Sequence, residues 1–119
     1  FRSGTQWSYT PTWRADIKDG WNDEDLSIVG NNYQLRANFK ARPTPVAIAG
    51  TPTTFTQTDT KMVLKWKNNT ALGTTKVFVP TTFAAGKPLV TTGGASCSRS
   101  GTTVSCTASG NVDVSVTLQ

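Results

Sequence analysis

Cys97-Ser98-Arg99-Ser100-Gly101-Thr102-Thr103-Val104-Ser105-Cys106 reads as a β-hairpin that closes on itself. Gly101-Thr102 fits the centre of a type II′ turn, which takes glycine first. The cross-strand pairs are then 100–103, 99–104, 98–105 and 97–106. The two cysteines face each other in a non-hydrogen-bonded pair, where a Cα separation of about 4.5 Å suits a disulfide. A Cys97–Cys106 bridge is therefore expected, worth roughly 2–3 kcal/mol in the chain-entropy model for so short a loop. An unstrained structural bridge implies an oxidising compartment. The alternative is a pair of reduced, buried thiols. No Cys-x-x-Cys spacing occurs, which argues against a redox-active pair.

Outward from the hairpin the chain continues in the same period. Val112, Val114, Val116 and Leu118 alternate with Asp113, Ser115 and Thr117. Upstream, Met62, Leu64 and Trp66 alternate with Lys61, Val63, Lys65 and Lys67, and Lys67-Asn68-Asn69-Thr70-Ala71-Leu72-Gly73 reads as a turn. Lys76-Val77-Phe78-Val79 is a further strand, closed by Pro80. Tyr33, Leu35, Ala37, Phe39 and Ala41 alternate with Gln34, Arg36, Asn38 and Lys40, which predicts a half-buried antiparallel strand. Residues 42–60, rich in Pro and Thr, read as linker-like with room for hidden strands. Helical periodicity is nearly absent. Its one candidate is a turn over Asn22–Val29 capped by Asn22 or Asp23. About seven to nine short strands with regular turns describe a single all-β antiparallel sandwich over residues 1–119.

From about Asp59 onward the chain resembles the Ig-like repeat domains of large bacterial and archaeal surface proteins. The matching residues are Val63-Leu64-Lys65-Trp66-Lys67-Asn68-Asn69, Val77-Phe78-Val79-Pro80, Ala85-Gly86, the hairpin Cys97 to Thr107, and Val112 to Leu118. Ala108-Ser109-Gly110-Asn111 stands where that family usually has a Leu-Gly, Gly-rich step. The resemblance implies an Ig-like β-sandwich and a structural or adhesive surface role, and it carries over no catalytic residue.

Composition narrows the function. The 119 residues include 21 Thr and 9 Ser, as strand faces and turns would use them, and no histidine. The commonest general base and metal ligand is thus missing, and with it Ser-His-Asp and Cys-His catalysis. A glycosidase needs two carboxyls, one of them held in an apolar site. The acids are few, and Asp16, Asp19, Asp23, Glu24 and Asp25 crowd into one turn-rich segment that reads as solvated. No enzymatic role is expected. No apolar run is long enough to span a membrane, and Phe1-Arg2-Ser3-Gly4 reads as a processed or recombinant start.

The net charge of +5 divides unevenly. Residues 1–25 carry −2 and residues 26–119 carry +7. An acidic arm on a basic body is self-complementary between copies, although a charge of this size also serves plain solubility. The leading expectation is a non-catalytic extracellular, cell-surface or virion subunit. It would self-associate into a homo-oligomer or polymer such as a pilus, filament or virion shell, with residues 1–25 contacting a neighbour.

Four further sets of residues are candidates. Trp7, Tyr9, Trp13 and Trp21 are aromatics that either pack in a core or subunit contact or stack on a glycan, as in a carbohydrate-binding module. Asp19, Asn22, Asp23 and Asp25 offer hard oxygens for calcium beside Gly20, without the EF-hand spacing, and read equally as a capped turn. Arg36, Lys40, Lys61 and Lys65 lie on the outward sides of two predicted strands. If those strands are neighbours they form a basic stripe for nucleic acid or another polyanion, as in a coat protein; otherwise they are a solvated face. Asn68-Asn69-Thr70 is an N-glycosylation sequon in a predicted turn, with Asn68 the acceptor.

Overall fold

The computed structural model describes residues 28–30, 32–37 and 39–119. Eight strands follow in chain order: β1 (Thr44–Ala47), β2 (Gly50–Gln57), β3 (Met62–Asn68), β4 (Thr75–Phe78), β5 (Leu89–Thr92), β6 (Ala95–Ser100), β7 (Thr103–Ala108) and β8 (Asp113–Leu118). A 3-10 turn, Thr70–Leu72, follows β3. The strands form two antiparallel four-stranded sheets, ordered β1-β4-β7-β6 and β2-β3-β8-β5. This is the all-β sandwich expected from the strand pattern, closed by one disulfide between Cys97 and Cys106.

Alternation decides which face of each strand is inside. Met62, Leu64 and Trp66 of β3 are buried while Lys65 and Lys67 are exposed. Across the ladder Leu118, Val116 and Val114 of β8 stand directly opposite those three residues. The facing sheet contributes Val77 of β4 with Val104 and Cys106 of β7, and the loop after β4 adds Val79 and Phe83. These side chains make one core between the two sheets. Burying an aliphatic or aromatic side chain of this size contributes about 1.5–3 kcal/mol.

The linker-like stretch 42–60 holds both β1 and β2. Each is an edge strand, which is where Pro45 and Pro52 are tolerated, since proline has no N–H to give a ladder. At Pro52 the β2–β3 register shifts, and Thr53 becomes the extra residue of a bulge.

The predicted strand Tyr33–Ala41 does not form. Tyr33 takes φ 61 and donates its N–H to Gly30 O at 2.9 Å, while Gly30 N–H donates to Gln34 O at 2.9 Å. Asn32 Oδ1 accepts from Gln34 N at 3.1 Å, the local bonding by which Asn diverts backbone from a ladder. Among the described residues only the bridge Val29↔Leu35 is left of it. Tyr33 and Leu35 are 69% and 62% exposed, so the alternation has no sheet to bury its apolar side. The candidate helical turn Asn22–Val29 lies outside the described residues up to position 27.

The described residues fall into two compact units, one within Arg2–Lys40 and one spanning Ala41–Gln119 that holds every strand. Among the described residues no helix is long and apolar enough to cross a membrane.

Candidate functional site

The β2-β3-β8-β5 sheet turns a hydroxyl-rich face outward, and its register fixes which side chains share a row. Thr54, Lys65, Ser115 and Thr92 stand opposite one another across all four strands. The adjacent row is Thr51, Lys67 and Asp113. Between these rows lies a depression of about 510 Å³, lined by Thr53, Lys65, Thr92, Asp113 and Ser115, with Trp66 and Val114 beneath. The Trp66 ring is buried on the core side, so it presents no aromatic face outward.

Local chemistry explains how each side chain reaches this place. Lys65 and Ser115 are the polar members of alternating strands. Thr53 is turned out by the bulge after Pro52. Thr92 ends β5 just before a turn at Gly93, which has φ +74. A Cβ at Gly93 would overlap the backbone carbonyl of Asp113, so glycine lets this turn close directly against the start of β8. Lys67 and Asp113 are cross-strand neighbours of opposite charge. Among the described residues, no hydrogen bond or ion pair engages the side chains of Lys65, Lys67 or Asp113.

The sequence-predicted sites fare differently. The hairpin forms with the predicted register, Cys97↔Cys106 through Ser100↔Thr103. The cysteine Cα atoms are 4.1 Å apart. Gly101, at φ +55, supplies the positive φ that the first central position of a II′ turn needs. Among the described residues the two neighbouring strands that the basic stripe required are not formed. Lys65 lies on β3 and Lys61 just before it, but the strands beside β3 are β2 and β8, which place Thr54 and Ser115 next to Lys65 rather than Arg36 or Lys40. Arg36 and Lys40 belong to no strand and to the other unit.

Asn68 of the sequon is not a surface acceptor. It is 3% exposed. Its Oδ1 accepts from Trp66 Nε1 at 3.2 Å and its Nδ2 donates to Gly110 O at 2.8 Å. The nitrogen a glycan would need is occupied inside the fold. The aromatic set Trp7, Tyr9, Trp13 and Trp21 lies outside the described residues, as do the calcium candidates Asp19, Asn22, Asp23 and Asp25. Among the described residues no group of three His, Cys, Asp or Glu side chains is placed to hold a metal.

Thr53, Thr92, Asp113 and Ser115 escaped sequence reasoning because four strands in register bring them together. The local signal was Pro52 within a threonine run, which marks a bulge.

Three comparisons bear on identity. The family model described as the glycoside hydrolase family 5 C-terminal domain matches residues 42–118. No curated protein sequence matches the chain. Among solved structures, endo-glycoceramidase II from Rhodococcus sp. in its cellobiose-like imidazole complex aligns with TM-score 0.57 and 24% identity. That match covers 78% of this chain and 23% of that one. The ganglioside GM3 complex of the same protein gives TM-score 0.57, 24% identity, and 78% and 22% coverage. Its cellobiose-like isofagomine complex gives TM-score 0.50, 28% identity, and 66% and 19% coverage. The chain thus spans less than a quarter of those structures.

These findings overturn the expectation of a self-assembling pilus, filament or virion subunit, and with it the adhesive role that the Ig-like resemblance implied. The hairpin and Val/Thr strands that suggested surface repeats are general to a disulfide-closed sandwich, so they carried the architecture without the family. Over residues 42–118 the chain belongs to the glycoside hydrolase family 5 C-terminal domain family.

Proposed function

We propose that residues 42–118 work as a non-catalytic accessory β-sandwich of a glycosidase, and that glycoside cleavage is left to a separate catalytic module. The observation that carries this reading is the family match over 42–118. The placement of acids within the sandwich supports it. Asp59 and Asp113 are the acidic residues of Ala41–Gln119. Asp59 precedes the Met62 end of β3, and Asp113 pairs with Lys67 at its other end. Five strand steps separate those ends, roughly 17 Å at ~3.4 Å per residue. Glycosidase carboxyls stand about 5–9.5 Å apart. Asp59 also accepts an ion pair from Arg42 at 2.7 Å on the surface, not in an apolar site. The Cys97–Cys106 bridge supports an extracellular setting.

The test is direct. The 119-residue chain is assayed for hydrolysis of aryl glycosides, cellobiosides and gangliosides, and no turnover is expected. Fused after a family 5 catalytic module stripped of its own sandwich, it is expected to raise that module's thermal stability. Turnover by the chain alone, abolished by Asp59→Asn or Asp113→Asn, would overturn the reading.

A further inference from the structure

The depression on the β2-β3-β8-β5 face carries polar groups that the fold itself does not use. Opposite charges directly across a sheet gain roughly 0.2–1 kcal/mol when they pair. Lys67 and Asp113 are in that register, yet among the described residues the Asp113 side chain, which lines the depression, has no hydrogen bond or ion pair. A bulge, a device that re-aims a side chain, turns Thr53 to the same place. Two independent features of the backbone and the charges therefore converge on one spot.

The donor and acceptor inventory defines what fits there. The Lys65 ammonium offers three donors, the Asp113 carboxylate accepts only, and the hydroxyls of Thr53, Thr92 and Ser115 do both. One positive and one negative group line the depression, so a ligand needs no net charge. It must instead present many closely spaced oxygens that both donate and accept. About 510 Å³ lies within the ~300–1,000 Å³ of small-molecule sites.

We propose that this depression is a glycan subsite that takes a neutral saccharide unit. Asp113 accepts from two adjacent sugar hydroxyls, Lys65 donates to a third oxygen, and Thr53, Thr92 and Ser115 complete the shell. The choice of a glycan rests on the glycosidase-associated reading above, whereas the geometry stands without it. Binding uses no aromatic stacking, because the Trp66 ring lies on the core side. Affinity is accordingly in the range of about 1–10 mM, the scale of a few exposed hydrogen bonds.

The experiment is a titration of the ¹⁵N-labelled full chain with lactose and with cellobiose, followed by amide shifts, with phosphocholine as a zwitterionic control. Saturable shifts at Thr53, Lys65, Thr92, Asp113 and Ser115 are expected. Asp113→Asn weakens binding about tenfold, as loss of a charge-assisted bond does, and Lys65→Met about fivefold. Ser98→Ala, on the other sheet, leaves it unchanged. Unaltered hairpin amides in Asp113→Asn show that the variant is folded. Absence of saturable shifts with either sugar, shifts centred elsewhere, saturation by phosphocholine alone, or wild-type affinity in Asp113→Asn would each overturn the proposal. A failed titration with no turnover removes the subsite and leaves the accessory reading. Sugar binding by a chain that hydrolyses glycosides does the reverse.

Discussion

Asn68 shows how much a single buried amide settles. It shares the inward face of β3 with Trp66 and satisfies the indole N–H that burial would otherwise strand. Its Nδ2 also ties the β7–β8 connection through Gly110 O at 2.8 Å and Ala108 O at 3.5 Å. Asn68→Ala leaves the indole donor and a carbonyl without partners, at about 1–3 kcal/mol each when buried. A loss of roughly 3 kcal/mol in urea unfolding is expected. Asn68→Asp should cost more. It keeps the indole's acceptor but aims an oxygen at two carbonyls, and it buries a charge. Equal stability of wild type and Asn68→Ala would show that water replaces these bonds. Gly93→Ala makes a separate point, since it combines a positive φ with overlap on Asp113 O. It should destabilise by about 1–3 kcal/mol, measured by thermal unfolding.

Arg99 belongs to the scale of elements because it joins a strand to a loop. Its Nη1 donates to Phe83 O at 2.9 Å and its Nη2 to Pro80 O at 2.7 Å. The loop that carries Phe83 into the core is thereby pinned to β6. Arg99→Lys should not rescue the pin, since a point ammonium lacks the forked donors of a guanidinium. Both Arg99→Met and Arg99→Lys are expected to lose about 2 kcal/mol and to speed hydrogen exchange at Phe83 N–H; protection equal to wild type in Arg99→Lys would refute the fork. The neighbouring disulfide acts through the unfolded chain. Cys97→Ala with Cys106→Ala should lower stability by roughly 2–3 kcal/mol without unfolding the sandwich, read from the urea midpoint. The legibility of these elements from sequence follows the range of the contacts that made them. The hairpin was readable because its turn and register are local. Strands β3 and β8 were readable because alternation alone tells which side chains face inward. Tyr33–Ala41 alternates just as well, but among the described residues no strand pairs with it, which is a tertiary fact. Strands β1 and β2 stayed hidden behind Pro45 and Pro52, residues that an edge strand tolerates. Lys65 was recognised as outward-facing, but its neighbours in the depression depend on pairings between strands far apart in sequence.

At the scale of the whole chain, every described member of the hydrophobic core cluster lies between Ile48 and Leu118. The family match covers nearly the same interval, residues 42–118. A stable domain requires its own core, and this interval has one, closed by its own disulfide. The fragment Ala41–Gln119 should therefore fold by itself. Calorimetry should show one cooperative transition with an enthalpy of about 55 kcal/mol near 60 °C, at ~0.7 kcal/mol per residue. The calorimetric and van't Hoff enthalpies should agree, as two-state unfolding requires. A fragment that melts without a cooperative transition, or whose hairpin amides exchange freely, would mean that the sandwich depends on residues 1–40.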